Sequence, residues 1–427
     1  MRRLVILGGG TAGTMVANKL RATEPASALD ITVVDRDDEH HYQPGYLFIP
    51  FGDYTRKQVI KSRRAYLRPG INLVLGEIDR VDADAKVVDL AGGRQLPYDT
   101  LIIATGVQPR PDQTPGAEGE GVHHFYDLEA AERLREALRM FPGGRLVVHI
   151  TDMPIKCPVA PLEFTFLADA WFRDRGARKK VEIVYVTPLD GAFTKPVASR
   201  ELGGMFGQRD IHMETDFAVE SIDTDARELV SYDERRIPYD LLVSIPLNMG
   251  PDYIARSGLG DEMNLVPCDQ HTMQSLRDPD IFVLGDGGTL QTSKAGSVAH
   301  FAVDIFMENW PHYLRGEQLS HEFDGHANCF IETGHGKGML LDFNYGTQPY
   351  TGSFPLPGVG PLALLKENRA NHLAKLAFRG IYWEFLVKGR PLPFTADMYL
   401  MGKNVEDDAS GTSTPDLLKS LVGLGSH

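Results

Sequence analysis

Short apolar runs and longer amphipathic stretches alternate along most of the chain. Leu4-Val-Ile-Leu7 reads as a buried strand, and the stretch through Leu20 that follows it as a helix. Ile31-Thr-Val-Val34, Leu101-Ile-Ile103, Arg145-Leu-Val-Val-His-Ile150, Val181-Glu-Ile-Val-Tyr-Val186 and Asp280-Ile-Phe-Val-Leu284 repeat the strand signal, and residues 160–175 read as a further helix. Continuous apolar strands separated by helices predict parallel sheets covered on both faces. The expected fold class is α/β, with two Rossmann-like (doubly wound) domains. A different pattern occupies residues 361–390, where Phe378, Ile381, Tyr382 and Phe385 recur at helical spacing beside Trp383. Beyond Lys403 the chain turns polar and tail-like, with a short helix expected over Leu417–Leu424.

Charge narrows the partners. The 44 Lys and Arg against 58 Asp and Glu leave a net charge of −14, which argues against non-specific nucleic-acid binding. Locally the balance reverses. In 361–390 Lys366, Arg369, Lys375, Arg379, Lys388 and Arg390 outnumber Glu367 and Glu384 by 6 − 2 = +4. An aromatic face with basic flanks is the pattern of a helix lying in a membrane interface. No stretch approaches the about 20 apolar residues of a spanning helix, and Met1-Arg-Arg enters a strand without a signal-peptide core. A peripheral, monotopic membrane protein is expected. Three cysteines are too few for a disulfide framework, and no metal site is expected.

The chemistry starts in the turn after the first strand. Gly8, Gly10 and Gly13 fit G-x-G-x-x-G, with Ala12 between them, and the next strand ends in Asp35-Arg36. Glycines allow a tight turn, backbone approach to a diphosphate and close helix–strand packing, while Asp35 is placed for ribose hydroxyls. Ala104-Thr-Gly106 and Gly285-Asp286 resemble the return motifs of flavin disulfide-reductase-like proteins, which implies FAD and gives Asp286 the ribityl chain. The strand ending at Ile150 should open a second dinucleotide site, yet Thr151-Asp-Met-Pro-Ile-Lys-Cys157 contains no glycine. Proline removes an N–H and restricts the residue before it, so this turn is a poor diphosphate cradle. Cys157 is therefore the candidate to receive electrons in place of a nicotinamide.

Around that cysteine, Pro154-Ile-Lys-Cys-Pro-Val-Ala-Pro-Leu-Glu163 resembles the sulfide:quinone oxidoreductase family. Asn328-Cys329-Phe-Ile-Glu-Thr-Gly334 resembles the family's second cysteine segment. Tyr42-Gln-Pro-Gly-Tyr46 and Lys375-Leu-Ala-Phe-Arg-Gly-Ile-Tyr-Trp383 are similar to it too. The resemblance implies a redox pair, Cys157 and Cys329, that hydrosulfide attacks, with electrons passing to FAD and on to a quinone. It implies zero-valent sulfur, handed to a sulfur acceptor or released as polysulfide. It places Gln43, Pro44 and Lys294 by the flavin, Lys294 as a cation for the reduced ring, and Glu163 as a general base. Tyr345, Tyr350 and Phe385 are candidates for stacking the quinone. No cysteine lies in 107–144, so FAD should be non-covalent; His123-His124 in that stretch read as a surface turn, and Cys268 as structural. The alternatives are a type II NADH:quinone reductase, a flavocytochrome c-type sulfide dehydrogenase flavoprotein and a catalytically silent flavin-binding module. A homo-oligomer is left open. The expected organisation is FAD domain 1–110, second Rossmann-like domain 111–265, FAD domain again 266–320, a C-terminal region 321–403 with Cys329 and the membrane helices, and a tail 404–427.

Overall fold

In the computed structural model, residues 1–356, 358–392 and 396–404 are described. Residues 405–427, including the expected helix over 417–424, lie outside the described residues. Leu4-Val-Ile-Leu7 is the centre of a five-stranded parallel sheet in the order Ile281–Val283, Thr100–Ile103, Arg2–Leu7, Leu29–Asp35, Ile71–Leu75. Both faces are covered, so Leu4, Ile6, Ile102 and Val283 are wholly buried. Each such aliphatic side chain contributes about 1.5–3 kcal/mol relative to an exposed one. The edge strand Ile281–Val283 comes from far later in the chain than its neighbour Thr100–Ile103, which makes this unit discontinuous in sequence.

A second parallel sheet runs Val122–His123, Leu241–Ile245, Gly144–Ile150, Val181–Val186, Ile211–Glu214. Its crossover is the helix Ala160–Asp174, preceded by the loop that carries Cys157. His123 is in the short edge strand of this sheet and His124 is buried, so the surface turn expected there is not found. A third, mixed sheet follows: Ala327–Gly334, Lys337–Phe343, Gly360–Leu364, Gly352–Leu356. The Ala160–Asp174 helix packs on Ala327–Gly334, and this packing carries Cys329 to the Cys157 loop.

The 361–390 stretch differs from its sequence reading. Residues 360–364 form a strand, the helix spans Arg369–Ile381, and Tyr382–Leu386 form one π-helical turn. Two of its aromatics, Tyr382 and Trp383, face inward. Tyr382 and Trp383 are buried, Tyr382 Oη shares hydrogen bonds with Thr11 Oγ1 (2.8 Å) and His40 Nε2 (2.7 Å), and Trp383 lies against His40 and Tyr66. The face left outward is Leu373, Leu376, Ala377 and Gly380, at i, i+3, i+4 and i+7, followed by Phe385. Nor is Lys375 a basic flank: its ammonium is drawn inside by the buried carboxylate of Glu163.

Candidate active site

The first glycine turn opens onto a cavity of about 550 Å³ that Gly8, Gly10, Asp35, Arg36, Gln43, Ala104 and Thr105 line. Two glycines are required there by geometry. Gly8 has φ +92°, and a Cβ on Gly13 would sit 1.8 Å from the Gly8 carbonyl oxygen. No side chain caps the helix that starts after Gly10, so its first N–H groups are left for an anion in the cavity. Asp35 accepts from Gly9 N–H (2.7 Å) and Arg36 N–H (2.8 Å) and pairs with Arg63 (3.0 Å). Arg63 is itself buried and donates to Gly9 O (2.9 Å), so the turn is braced on both sides. These features fit a dinucleotide with its diphosphate at the glycine turn and a ribose at Asp35. Ala12, Gly13, Gly106 and Gly285 stand behind the lining: Gly285 comes within contact distance of Ala12, and Gly287 of Gly106. Pro44 opens the 3₁₀ turn Gln43–Phe48 and is exposed.

Tyr126 and Lys156 line the same cavity, and Lys156 immediately precedes Cys157. Cys157 has φ +46°, unusual for a non-glycine residue, and its N–H donates to Lys294 O (2.7 Å). Ala160 N–H (2.8 Å) and Tyr126 Oη (3.4 Å) donate to its carbonyl. Cys157 is half-buried, Cys329 is buried, and both are thiols. Burial pushes the Cys157 thiol up to about 12, with Glu163 adding to the shift and Lys375 opposing it. Burial also raises the Cys329 thiol, and the next largest cause is the charge of Cys157. Two sulfurs from widely separated parts of the chain thus share one electrostatic environment.

Behind them runs a buried charged chain. Glu163 Oε1 accepts from Lys375 Nζ (2.6 Å) and Glu332 N–H (2.8 Å), and Lys375 also donates to Phe330 O (2.8 Å). Glu332 in turn meets His372 Nδ1 at 2.8 Å. Burial raises the Glu163 carboxyl above its usual range against the pull of Lys375. Lys294 is buried and donates to Asp286 O (2.6 Å) and Gly288 O (3.1 Å), bracing the turn after the last strand of the first sheet. Burial raises the Asp286 carboxyl, with Lys294 and Lys156 opposing.

The three ring-stacking candidates are in different settings. Tyr345 donates its hydroxyl to Gln270 O (2.9 Å) and packs on Gly325; Tyr350 is buried; Phe385 is 42% exposed beside the outward apolar stripe. Arg63, Tyr126, Lys156 and Lys375 belong to the site without having been singled out for it from sequence. The signal for Lys156 was its place next to Cys157. Arg63 carries no local signal, and for Lys375 the Lys375–Trp383 segment signals the family but not its partner Glu163, which is far along the chain.

Residues 2–149 match the family described as Pyridine nucleotide-disulphide oxidoreductase. The chain is 27% identical over 399 residues to "Sulfide:quinone oxidoreductase, mitochondrial" of Dictyostelium discoideum, covering 91% of this chain and 86% of that one. The mouse protein of the same name is 24% identical over 397 residues, covering 90% and 86%. The chain is similar over most of its length to relatives that carry the name sulfide:quinone oxidoreductase. The solved sulfide:quinone oxidoreductase of Aquifex aeolicus has the same fold, with a TM-score of 0.77 at 19% identity over 91% of this chain and 92% of that one. The Cys157 loop lies just beyond the residues of the family match, whereas the glycine turn lies within them. FAD is the cofactor, and the residues around the cavity fit it.

Proposed function

We propose that this protein oxidises sulfide to zero-valent sulfur at Cys157 and Cys329 and passes the electrons through FAD to a quinone. The observation that supports the reading is that Cys329, on a strand, feels the charge of Cys157, whose chain neighbour Lys156 lines the cavity. In the oxidised pair, hydrosulfide sulfur bonds to one cysteine sulfur as the S–S bond breaks, and the other leaves as thiolate. Net, hydrosulfide yields zero-valent sulfur, one proton and two electrons. Bound FAD supplies the two-electron acceptor and the relay to quinone. Lys375 places a positive charge beside the freed thiolate, and Glu163 takes the proton. Glu332 and the partly exposed His372 extend that chain of ionisable groups toward the surface. The sulfur is passed to an acceptor or leaves as polysulfide.

Docking at a membrane follows from the outward stripe. Leu373 is 63% and Leu376 38% exposed, and Lys366, Arg369 and Arg390 are exposed around them. Apolar side chains rimmed by cations suit the boundary of an anionic bilayer. Among the described residues no helix is long and apolar enough to cross a membrane. Phe385, at the edge of this stripe, is the ring candidate best placed for a quinone arriving from lipid. The description of the matching family favours a second reading, reduction by a pyridine nucleotide. The glycine-free loop 151–157 argues against it.

Anaerobic rapid mixing of the FAD-loaded protein with sulfide and, separately, with NADH tests the reading. Sulfide should bleach the oxidised flavin band and NADH should not, and Cys157→Ser or Cys329→Ser should abolish bleaching by sulfide while FAD stays bound. Bleaching by NADH alone would replace the proposal with a nicotinamide-driven quinone reductase.

A further inference from the structure

Three lysines lie near the reacting end of the cavity, and two have their ammonium groups committed elsewhere. Lys294 donates to two backbone carbonyls, and Lys375 is paired with Glu163 and Phe330 O. Lys156 differs. It lines the cavity, and its ammonium has a single close acceptor, Gln43 Oε1 at 3.1 Å, with Tyr126 O at 3.5 Å. Both Gln43 and Tyr126 line the same cavity. Among the described residues no carboxylate comes within ion-pair distance of it. Each of the three ammonium groups has two acceptors, but those of Lys156, at 3.1 and 3.5 Å, are together the longest, and both belong to residues that line the cavity.

Its backbone, by contrast, is rigidly placed. Lys156 N–H donates to the Asn248 side chain at 3.1 Å, Lys156 bridges in parallel to Lys294, and the next N–H, that of Cys157, donates to Lys294 O. The side chain is therefore carried on a fixed stem at the wall of the cavity, next to Cys157. In a dinucleotide with its ribose at Asp35 and its diphosphate at the glycine turn the redox ring lies beyond the diphosphate, and the cysteine next to Lys156 marks where that ring reacts. Reduction adds negative charge to that ring. A cation beside that ring stabilises the reduced form more than the oxidised one. Burial lowers the pKa of the Lys156 ammonium, with Asp286 and Asp127 opposing.

We propose that Lys156 is the charge partner of the reduced flavin and raises the midpoint potential of the bound cofactor. This rests on the FAD assignment and on the cysteine pair marking the ring end. It leaves Lys294 as the structural brace of the Asp286 turn and not as the cation that faces the ring.

The test is spectroelectrochemical titration of FAD-loaded wild type, Lys156→Met, Lys156→Gln and Lys156→Arg, with no turnover involved. Both neutral variants should bind reduced FAD about tenfold less favourably relative to oxidised FAD, a fall in potential of about 30 mV for a two-electron couple. Lys156→Arg should stay near wild type. Equal potentials in wild type and both neutral variants, with FAD retained, would overturn the proposal, as would an equal fall in Lys156→Arg. A wild-type chain that takes up no FAD overturns the underlying assignment instead, and that is visible from absorbance before any potential is measured.

Discussion

Removing one member of the Glu163–Lys375 pair should cost more than removing both. Lys375 Nζ lies 2.6 Å from Glu163 Oε1, with the two side chains only 13% and 1% exposed. Glu163→Gln keeps the shape and an acceptor for Glu332 N–H but strands a buried ammonium whose remaining partner is the Phe330 carbonyl. Stranding a buried charge in this way costs about 3–5 kcal/mol. Lys375→Met should cost less near neutral pH, because burial already raises the Glu163 carboxyl and it can take a proton. The double variant leaves no unpaired charge, so its loss should fall short of the sum of the singles by about 1–3 kcal/mol. Urea titration of the FAD-loaded proteins, followed by tryptophan fluorescence, measures all four corners of the cycle. Additivity within about 0.5 kcal/mol would refute the argument that the pair is a charge-balanced unit.

Other outcomes can be checked on the same preparations. Gly13→Ala should abolish FAD retention in purified protein, since its Cβ would sit 1.8 Å from Gly8 O; flavin content on a desalting column reads this directly. His40 and His149 are held neutral by burial, with pKa values lowered to about 3 from an ordinary 6.5. Between these values the unfolded chain binds protons that the folded one does not, so stability should be full above pH 6.5 and fall as pH drops toward 3. Thermal unfolding across that range should show a smaller slope in His149→Gln, and an identical slope would remove this histidine from the account. Leu373→Glu/Leu376→Glu should weaken sedimentation with anionic vesicles at least tenfold while leaving reduction by sulfide in solution unchanged. Undiminished sedimentation would place the docking surface elsewhere.

Much of the first sheet was readable because its logic is local. A strand, a glycine turn, a helix and a strand ending in Asp35 follow one another without interruption from Arg2, and each needs only its neighbours to make sense. The cysteine loop was readable for the same reason, through what it lacks. Arg63 and Lys375 were not readable, since Arg63 braces a carbonyl 54 positions away and Lys375 pairs with a carboxylate 212 positions away. For 361–390 the helical period was sound but the inward face was misjudged. Large aromatics next to lysines resemble an interfacial helix, yet His40 and Thr11 offer hydrogen-bond partners that draw Tyr382 inside, and Trp383 follows it. The smaller Leu373, Leu376 and Ala377 are left as the outward face.

The bond between Tyr382 and Thr11 joins positions 371 apart, and Asn18 donates to the carbonyl of Val387 at 2.6 Å. The helix that holds the glycine turn in place is therefore completed by nearly the last described part of the chain. During synthesis, the opening segment leaves the ribosome first and waits for its clamp until Val387 has emerged. A ribosome stalled before that point carries a chain with its first sheet's edge strand in place but the back of its first helix uncovered. A chain that stops short of Arg369 lacks this clamp on its first helix and should retain less flavin than the full chain.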